Sequence, residues 1–212
     1  MANAFVHMLA VGRMFLERIE TDRLALERFS HESLDLFEFY ETCSDADGEE
    51  AMAEVTEYMP WDPHETVAES KEFIDRCEKQ WDEGEAATYA IRPRESEDGA
   101  GAFAGAGGLT IDWDRRTGTL GMWLRKRFWG RGYSGERAAA LIELAFDRLD
   151  LEVVAITHHV NNEKSQRAIE KYVEAHGGRR EGLLRNWLPY DEDVADEYRY
   201  TITQDEYQDA TG

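Results

Sequence analysis

Trp129-Gly130-Arg131-Gly132-Tyr133-Ser134-Gly135-Glu136 is a glycine-rich run between two stretches of different periodicity. Before it, Thr119 to Leu124 reads as a strand. After it, Arg137 to Leu149 reads as a helix with Leu141, Ile142, Ala145, Phe146 and Leu149 on one apolar stripe. Glycines at a strand-to-helix turn leave backbone N–H groups uncovered by Cβ atoms. The helix that follows adds the positive end of its dipole. Together they predict a site for a phosphate or pyrophosphate.

The pattern continues on both sides of the turn. C-terminal to it, Val153-Val154-Ala155-Ile156 is continuously apolar, as a central strand is. Asn162 to Ala175 reads as a helix with Ala168, Ile169, Tyr172 and Val173 inward, and Gly182 to Leu188 and Tyr198 to Thr203 read as strands. N-terminal to it, strands are expected at Thr21 to Glu27, Ala86 to Ile91, Phe103 to Trp113 and Thr117 to Leu124. Helices are expected at Glu32 to Tyr40 and Thr66 to Glu83, an acidic loop at Asp45 to Glu50, and a polar hairpin turn at Glu95 to Gly101. The order is mixed α/β. One domain is expected over residues 1–212, with 1–13 an N-terminal extension, Met14 an alternative start, and 205–212 a flexible tail.

The net charge is −21, from 45 acidic and 24 basic residues, and only five of the basic residues are lysine. An acidic, lysine-poor surface suits a high-salt cytoplasm, where screening removes self-repulsion, and the composition resembles that of haloarchaeal proteins. The same charge disfavours a nucleic-acid partner. No apolar run approaches the roughly 18 residues of a membrane span, and the first residues lack a basic n-region; a cytoplasmic location is expected. Cys43 and Cys77 lack metal-ligand spacing and read as ordinary thiols. His158 and His159 are strand neighbours that point to opposite faces. No metal is expected.

Three ligands compete for the glycine turn. A nucleoside triphosphate loop fails, because GxxxxGK[ST] is absent. A dinucleotide site matches Gly130-x-Gly132-x-x-Gly135 literally, but Asp150 and Glu152 precede the strand whose end should carry the ribose-binding acid. The third is coenzyme A. Trp-Gly-Arg-Gly-Tyr-Ser-x-Glu, then an apolar helix, Asn162-x-x-Ser165 and Arg180-Glu181-Gly182, resembles the GNAT N-acetyltransferase superfamily, RimJ/RimL branch. Ile19-Glu20-Thr21-Asp22-Arg23-Leu24 resembles that branch's opening strand, Met59-Pro60-Trp61 its substrate-side loop, and Tyr198-x-Tyr200-x-Ile202 its last strand.

The resemblance implies a mixed, mostly antiparallel sheet of about six to seven strands flanked by helices and splayed between the fourth and fifth. It implies acetyl-CoA as cofactor, bound by Leu124, Trp129, Gly130, Arg131, Gly132, Tyr133, Ser134, Gly135, Asn162 and Ser165. Backbone groups of Trp123 and Leu124 would serve the thioester and its oxyanion. The family's usual tyrosine acid is replaced here by Ile169, and the resemblance to the RimJ/RimL branch, whose members carry a serine instead, implies Ser165 as the candidate acid. Trp61, Asp62 and Asp112 are expected on the substrate side; the base is unassigned. The Leu-Gly-Phe turn usual in the family is absent from Tyr172 to Gly178. The implied activity is transfer of an acetyl group to an amine, most simply a protein N-terminus. Alternatives are a small-molecule amine such as a polyamine or antibiotic, or a non-catalytic coenzyme A-binding module. The chain would act as a monomer or homodimer, with no nucleic-acid or membrane partner.

Overall fold

The computed structural model describes residues 14–44, 52–190 and 193–212. The expected extension at 1–13 and the acidic loop at 45–50 lie outside the described residues. Along the chain run β1 (Arg18–Glu20), β2 (Leu24–Arg28), α1 (Leu36–Cys43), α2 (Met52–Thr56), α3 (Val67–Glu83), β3 (Ala86–Pro93), β4 (Gly105–Asp112) and β5 (Thr117–Leu124). Then follow α4 (Tyr133–Glu143), which runs on through a π-helical turn at Leu144–Arg148, β6 (Val153–His159), α5 (Glu163–Ala175), β7 (Arg179–Tyr190), β8 (Asp193–Thr203) and α6 (Gln204–Thr211).

The strands form one mixed sheet in the order β1-β2-β3-β4-β5-β6-β8-β7. Only the β5–β6 pair is parallel; the other neighbours are antiparallel. The sheet thus has eight strands among the described residues, not six to seven. The added strand comes from the expected opening strand, which breaks at Thr21–Arg23. The Thr21 N–H donates to the Leu24 carbonyl at 2.9 Å, and the chain folds back into the β1–β2 hairpin.

One part of the sheet matters for function. The β5–β6 ladder runs only from Thr117 opposite Val153 to Leu120 opposite Ile156. Beyond it, Gly121–Leu124 stays paired with β4, and Thr157–His159 with β8. The crossover that joins these strands is the glycine turn and α4.

The core lies in two clusters. One holds α4 and α5 against the sheet: the stripe Leu141, Ile142, Ala145, Phe146 and Leu149 is buried, as are Ile169, Tyr172 and Val173. The other gathers Phe39 and Cys43 of α1, Met52 and Val55 of α2, and Ile74 and Cys77 of α3 around Ala106 and Trp123. Both cysteines are buried and unbonded, and burial pushes both thiols above their ordinary range. Caps set the helix starts. Thr66 accepts from the Glu69 N–H, and Asp35 from the Phe37 and Glu38 N–H groups. Gln204–Thr211, in the stretch expected as a tail, is helical and opens with a Thr203–Glu206 capping box. No helix among the described residues is long and apolar enough to cross a membrane.

Candidate active site

Helix α4 begins at Tyr133, four residues earlier than its apolar stripe suggests, so half of the glycine run is its first turn. Gly132 is the N-cap, with φ 80° and no side-chain cap hydrogen bond. Gly130 is also left-handed, at φ 75°. These two positions need glycine for their backbone conformation, whereas a Cβ at Gly135 would meet nothing nearer than Tyr172 Cβ at 4.0 Å. A dinucleotide fold uses its third glycine for close helix–strand packing; Gly135 has no such task. The first N–H groups of α4 are left to an incoming acceptor.

A second segment locks the turn. Glu136, in the first turn of α4, accepts from Thr21 Oγ1 at 2.6 Å and from the Arg23 backbone N–H and Nε, both at 2.7 Å. Arg23 Nη1 donates to the Arg131 carbonyl at 2.9 Å. Burial of the Glu136 carboxyl would raise its pKa, but the bonds from Thr21 and Arg23 hold it below the ordinary carboxylate value. The β1–β2 hairpin therefore buttresses the glycine turn.

The turn opens into a cleft of about 1200 Å³. Its walls are the end of β5 (Met122, Trp123, Leu124), the turn with Trp129, Gly130 and Gly132 through Gly135, the inner stripe of α5, and Glu54 to Met59. On α5 the stripe is Ser165, Ala168, Tyr172 and Ala175, at helical spacing. Ser165 is half-buried, and its N–H donates to the Asn162 side chain at 3.0 Å, so Asn162 caps α5 while lining the cleft. Burial raises the Tyr172 phenol to about 12, against a smaller lowering by Arg137. The Trp129 indole donates to the Leu124 carbonyl at 2.7 Å. Lys164 Nζ sits 4.4 Å from the Trp129 ring centroid and 3.1 Å from Glu54, which also binds Lys126 at 2.5 Å. The hydrogen bond from Lys126, then that from Lys164, holds Glu54 below its ordinary value.

Most residues singled out in the sequence come together here: Trp123, Leu124, Trp129, Gly130, Gly132, Tyr133, Ser134, Gly135, Asn162 and Ser165. Others do not. The Arg131 side chain turns away to Asp98, at 3.1 Å, and over the Phe128 ring; only its backbone belongs to the turn. Asp112 ends β4 opposite Thr117, whereas Leu124 lies opposite Gly105. Seven residues of strand, roughly 23 Å, separate the two positions. Asp112 instead pairs with Arg115 at 3.4 Å, so it leaves the candidate site. Trp61 packs edge-on against Trp123 at 5.6 Å, one layer behind the cleft wall, and Asp62 is exposed beside it. Ile169 is core. Sequence reasoning placed Met59 on the substrate-side loop but missed Arg23, Glu54, Val55, Glu57, Tyr58, Tyr172 and the cations Lys164, Arg167 and Lys171 as cleft residues. One signal was available: two of the chain's five lysines line the cleft, and Lys126 sits at its rim.

A family model described as the acetyltransferase (GNAT) domain matches residues 23–172. The chain belongs to the GNAT acetyltransferase family. It is 26% identical over 192 residues to the uncharacterized N-acetyltransferase p20 of Bacillus licheniformis, covering 91% of this chain and 99% of that one. Its fold matches the microcin C7 self-immunity acetyltransferase MccE, solved with acetyl-CoA and AMP. The TM-score is 0.75 at 19% identity, over 90% of this chain and 98% of that one. It also matches the ribosomal L7/L12 α-N-protein acetyltransferase RimL, with TM-score 0.72 at 17% identity, over 88% of this chain and 94% of that one. GNAT acetyltransferases use acetyl-CoA, and this GNAT protein is an acyltransferase with the family's mostly antiparallel mixed sheet.

Proposed function

We propose that the cleft binds acetyl-CoA and that the protein transfers the acetyl group to a primary amine, most simply a protein N-terminus, as a RimJ/RimL-type enzyme. The observation that carries this reading is the glycine turn. Left-handed Gly130 and Gly132 leave the first N–H groups of α4 open to the cleft, whose cations Arg23, Lys164, Arg167 and Lys171 are balanced by Glu54, Glu57, Glu136 and Glu163. Pyrophosphate matches that turn. The gap beyond Leu120 and Ile156 would admit the pantetheine arm as a splay between the two strands, with Asn162 beside it. The backbone of Trp123 and Leu124 would face the thioester.

An N-terminal amine ionises near 8, so it needs little help from a base. RimL, whose name states a ribosomal protein acceptor, supports the peptide version. MccE, solved with AMP beside acetyl-CoA, supports a small-molecule acceptor instead. Acetyl-CoA with a panel of N-terminal peptides, and separately with polyamines and aminoglycosides, decides between them by thiol release in concentrated potassium chloride. Release with small amines alone would remove the peptide acceptor.

Ser165 would donate a hydrogen bond or a proton to the departing sulfur. Ser165→Ala is expected to lower kcat on the order of 10²-fold while leaving the Kd for acetyl-CoA unchanged. A matched loss in both would make Ser165 a binding residue only.

The acidic surface would require salt. Raising potassium chloride is expected to raise Tm steadily, because screening relieves the self-repulsion of the net charge. A Tm that does not move with salt would remove the halophilic reading.

A further inference from the structure

Arg137 lies one residue beyond the carboxylate that anchors the glycine turn, yet it points the other way. It is 1% exposed, and its Nε and Nη1 atoms have no hydrogen-bond partner among the described residues. A Cβ built at Gly107 would lie 3.3 Å from Arg137 Cδ, 3.4 Å from its Nε and 3.2 Å from Met122 Cβ. Gly107 and Met122 are cross-strand partners on β4 and β5. The arginine stem therefore lies over the sheet where glycine leaves room, beside the part of β5 that lies beyond its ladder with β6. Met122 and Tyr172 both line the cleft, and Tyr172 is the charge neighbour of Arg137. The guanidinium sits directly behind the cleft wall.

A buried cation without an anion is strongly disfavoured. Burial pushes the guanidinium below its ordinary value, but arginine does not shed its proton in proteins. Its counter-charge must arrive from outside. Coenzyme A offers two sources, phosphates and sulfur. The phosphates would have the turn N–H groups. The sulfur is neutral in the thioester and turns negative only as its bond to carbon breaks. A fixed charge in a dry site acts most strongly on charge that develops in the transition state.

We infer that the buried Arg137 guanidinium stabilises the thiolate of the coenzyme A that leaves during transfer. The amine nitrogen bonds to the thioester carbonyl carbon, the C–S bond breaks with its electron pair going to sulfur, and the amine proton passes to water. This rests on the coenzyme A reading of the cleft.

Coenzyme A without an acceptor provides the test. Its affinity is measured by calorimetry from about pH 6.5 to about pH 9.5, beside desulfo-coenzyme A, for the protein and for Arg137→Met and Arg137→Gln. Gly107 and Met122, which lie near the Arg137 stem on β4 and β5, carry no charge. Other ionisable groups around the cleft are Tyr172, Lys171 and His176 of α5 with Glu163, Lys164 and Arg167 at its start, Glu54, Glu57 and Tyr58 opposite, Lys126 at the rim, and Arg23, Tyr133 and Glu136 at the turn. All of these act on both ligands, so the ratio of the two affinities isolates the thiol. A thiol whose value, ordinarily about 8.5, is lowered on binding binds better above that value and loses the advantage as pH falls through the lowered one. A one-unit lowering makes the ratio grow about tenfold across the range.

That growth is expected for the wild type and lost in both variants, with desulfo-coenzyme A affinity unchanged. A flat ratio in the wild type, or equal growth in the variants, overturns the proposal. Equal weakening of both ligands in the variants assigns the charge to the phosphates and also overturns it. Binding of neither ligand to folded wild type overturns the coenzyme A reading instead. Removing an unpaired buried charge should raise Tm, which checks that the variants are folded.

Discussion

Gly132→Val is expected to abolish measurable acetyl-CoA binding, with a loss in affinity of at least about 100-fold. Two effects act together. Gly132 sits at φ 80°, a left-handed conformation that a β-branched residue adopts only with strain on the order of 1–3 kcal/mol. Relief of that strain rotates the peptide that caps α4 and misdirects the first N–H groups of the helix. The valine side chain also stands where a phosphate oxygen must approach the backbone; the nearest atom to a Cβ there is Arg23 Nη2, at 3.4 Å. Losing two N–H bonds to a charged oxygen, at about 1.5–3 kcal/mol each, corresponds to 100-fold or more. Calorimetric titration with acetyl-CoA reads this directly. Unchanged affinity in a folded variant would remove the glycine turn from the cofactor site.

The second large effect is at Glu136. Glu136→Ala leaves Thr21 Oγ1, the Arg23 N–H and the Arg23 guanidinium without their shared acceptor. The pair is partly accessible, with side chains 37% and 17% exposed for Arg23 and Glu136, so solvent compensates some of the loss. About 2 kcal/mol is expected, or roughly 4–8 °C in Tm for a chain of this size. Acetyl-CoA affinity falls too, because Arg23 no longer holds the Arg131 carbonyl in place. The pH dependence has a definite sign. The folded-state value of Glu136 is depressed, so its stabilisation is complete above about 4.3, the ordinary carboxylate value. It is lost as pH falls through the lower folded value. The wild type and the variant should therefore differ in Tm at neutral pH and converge in acid. A constant gap down to acid pH would mean that packing, not the carboxylate, supports the hairpin.

The glycine turn and its flanking strand, helix, strand and helix were legible in the sequence because each is written locally. The left-handed positions take glycine, and α4 and α5 carry apolar stripes at helical spacing. Much of what sequence reading missed was written at a distance. The hairpin at Thr21–Arg23 depends on Glu136, which lies 113 residues away from Arg23. Helix α2 has five residues and no period of its own; burial of Met52 and Val55 against α1 and α3 makes it a wall of the cleft. Arg137 lies one turn before Leu141 on the buried row Tyr133, Arg137 and Leu141 of its helix, so helical spacing was an available signal that it points inward. The space at Gly107 is what accommodates its stem. Asp112 failed for the opposite reason: its strand was read correctly, but no local signal says which end of a strand faces the cofactor. The Thr203–Glu206 capping box was a local signal for α6 that sequence reading missed, since residues 205–212 are expected from it as a flexible tail.

The short ladder between β5 and β6 also has a mechanical consequence. Strands β1 to β5 form one leaf and β6 to β8 another, and four register pairs stitch them together. Above that stitch the leaves are bridged by α4 and α5, which meet where a Cβ at Gly135 would touch Tyr172. The β1–β2 ladder is shorter still, at three pairs, but a hairpin joins its strands, whereas β5 and β6 are joined only through the α4 crossover. The line between the leaves is where coenzyme A would lie, so a bound cofactor would act as a rivet between them.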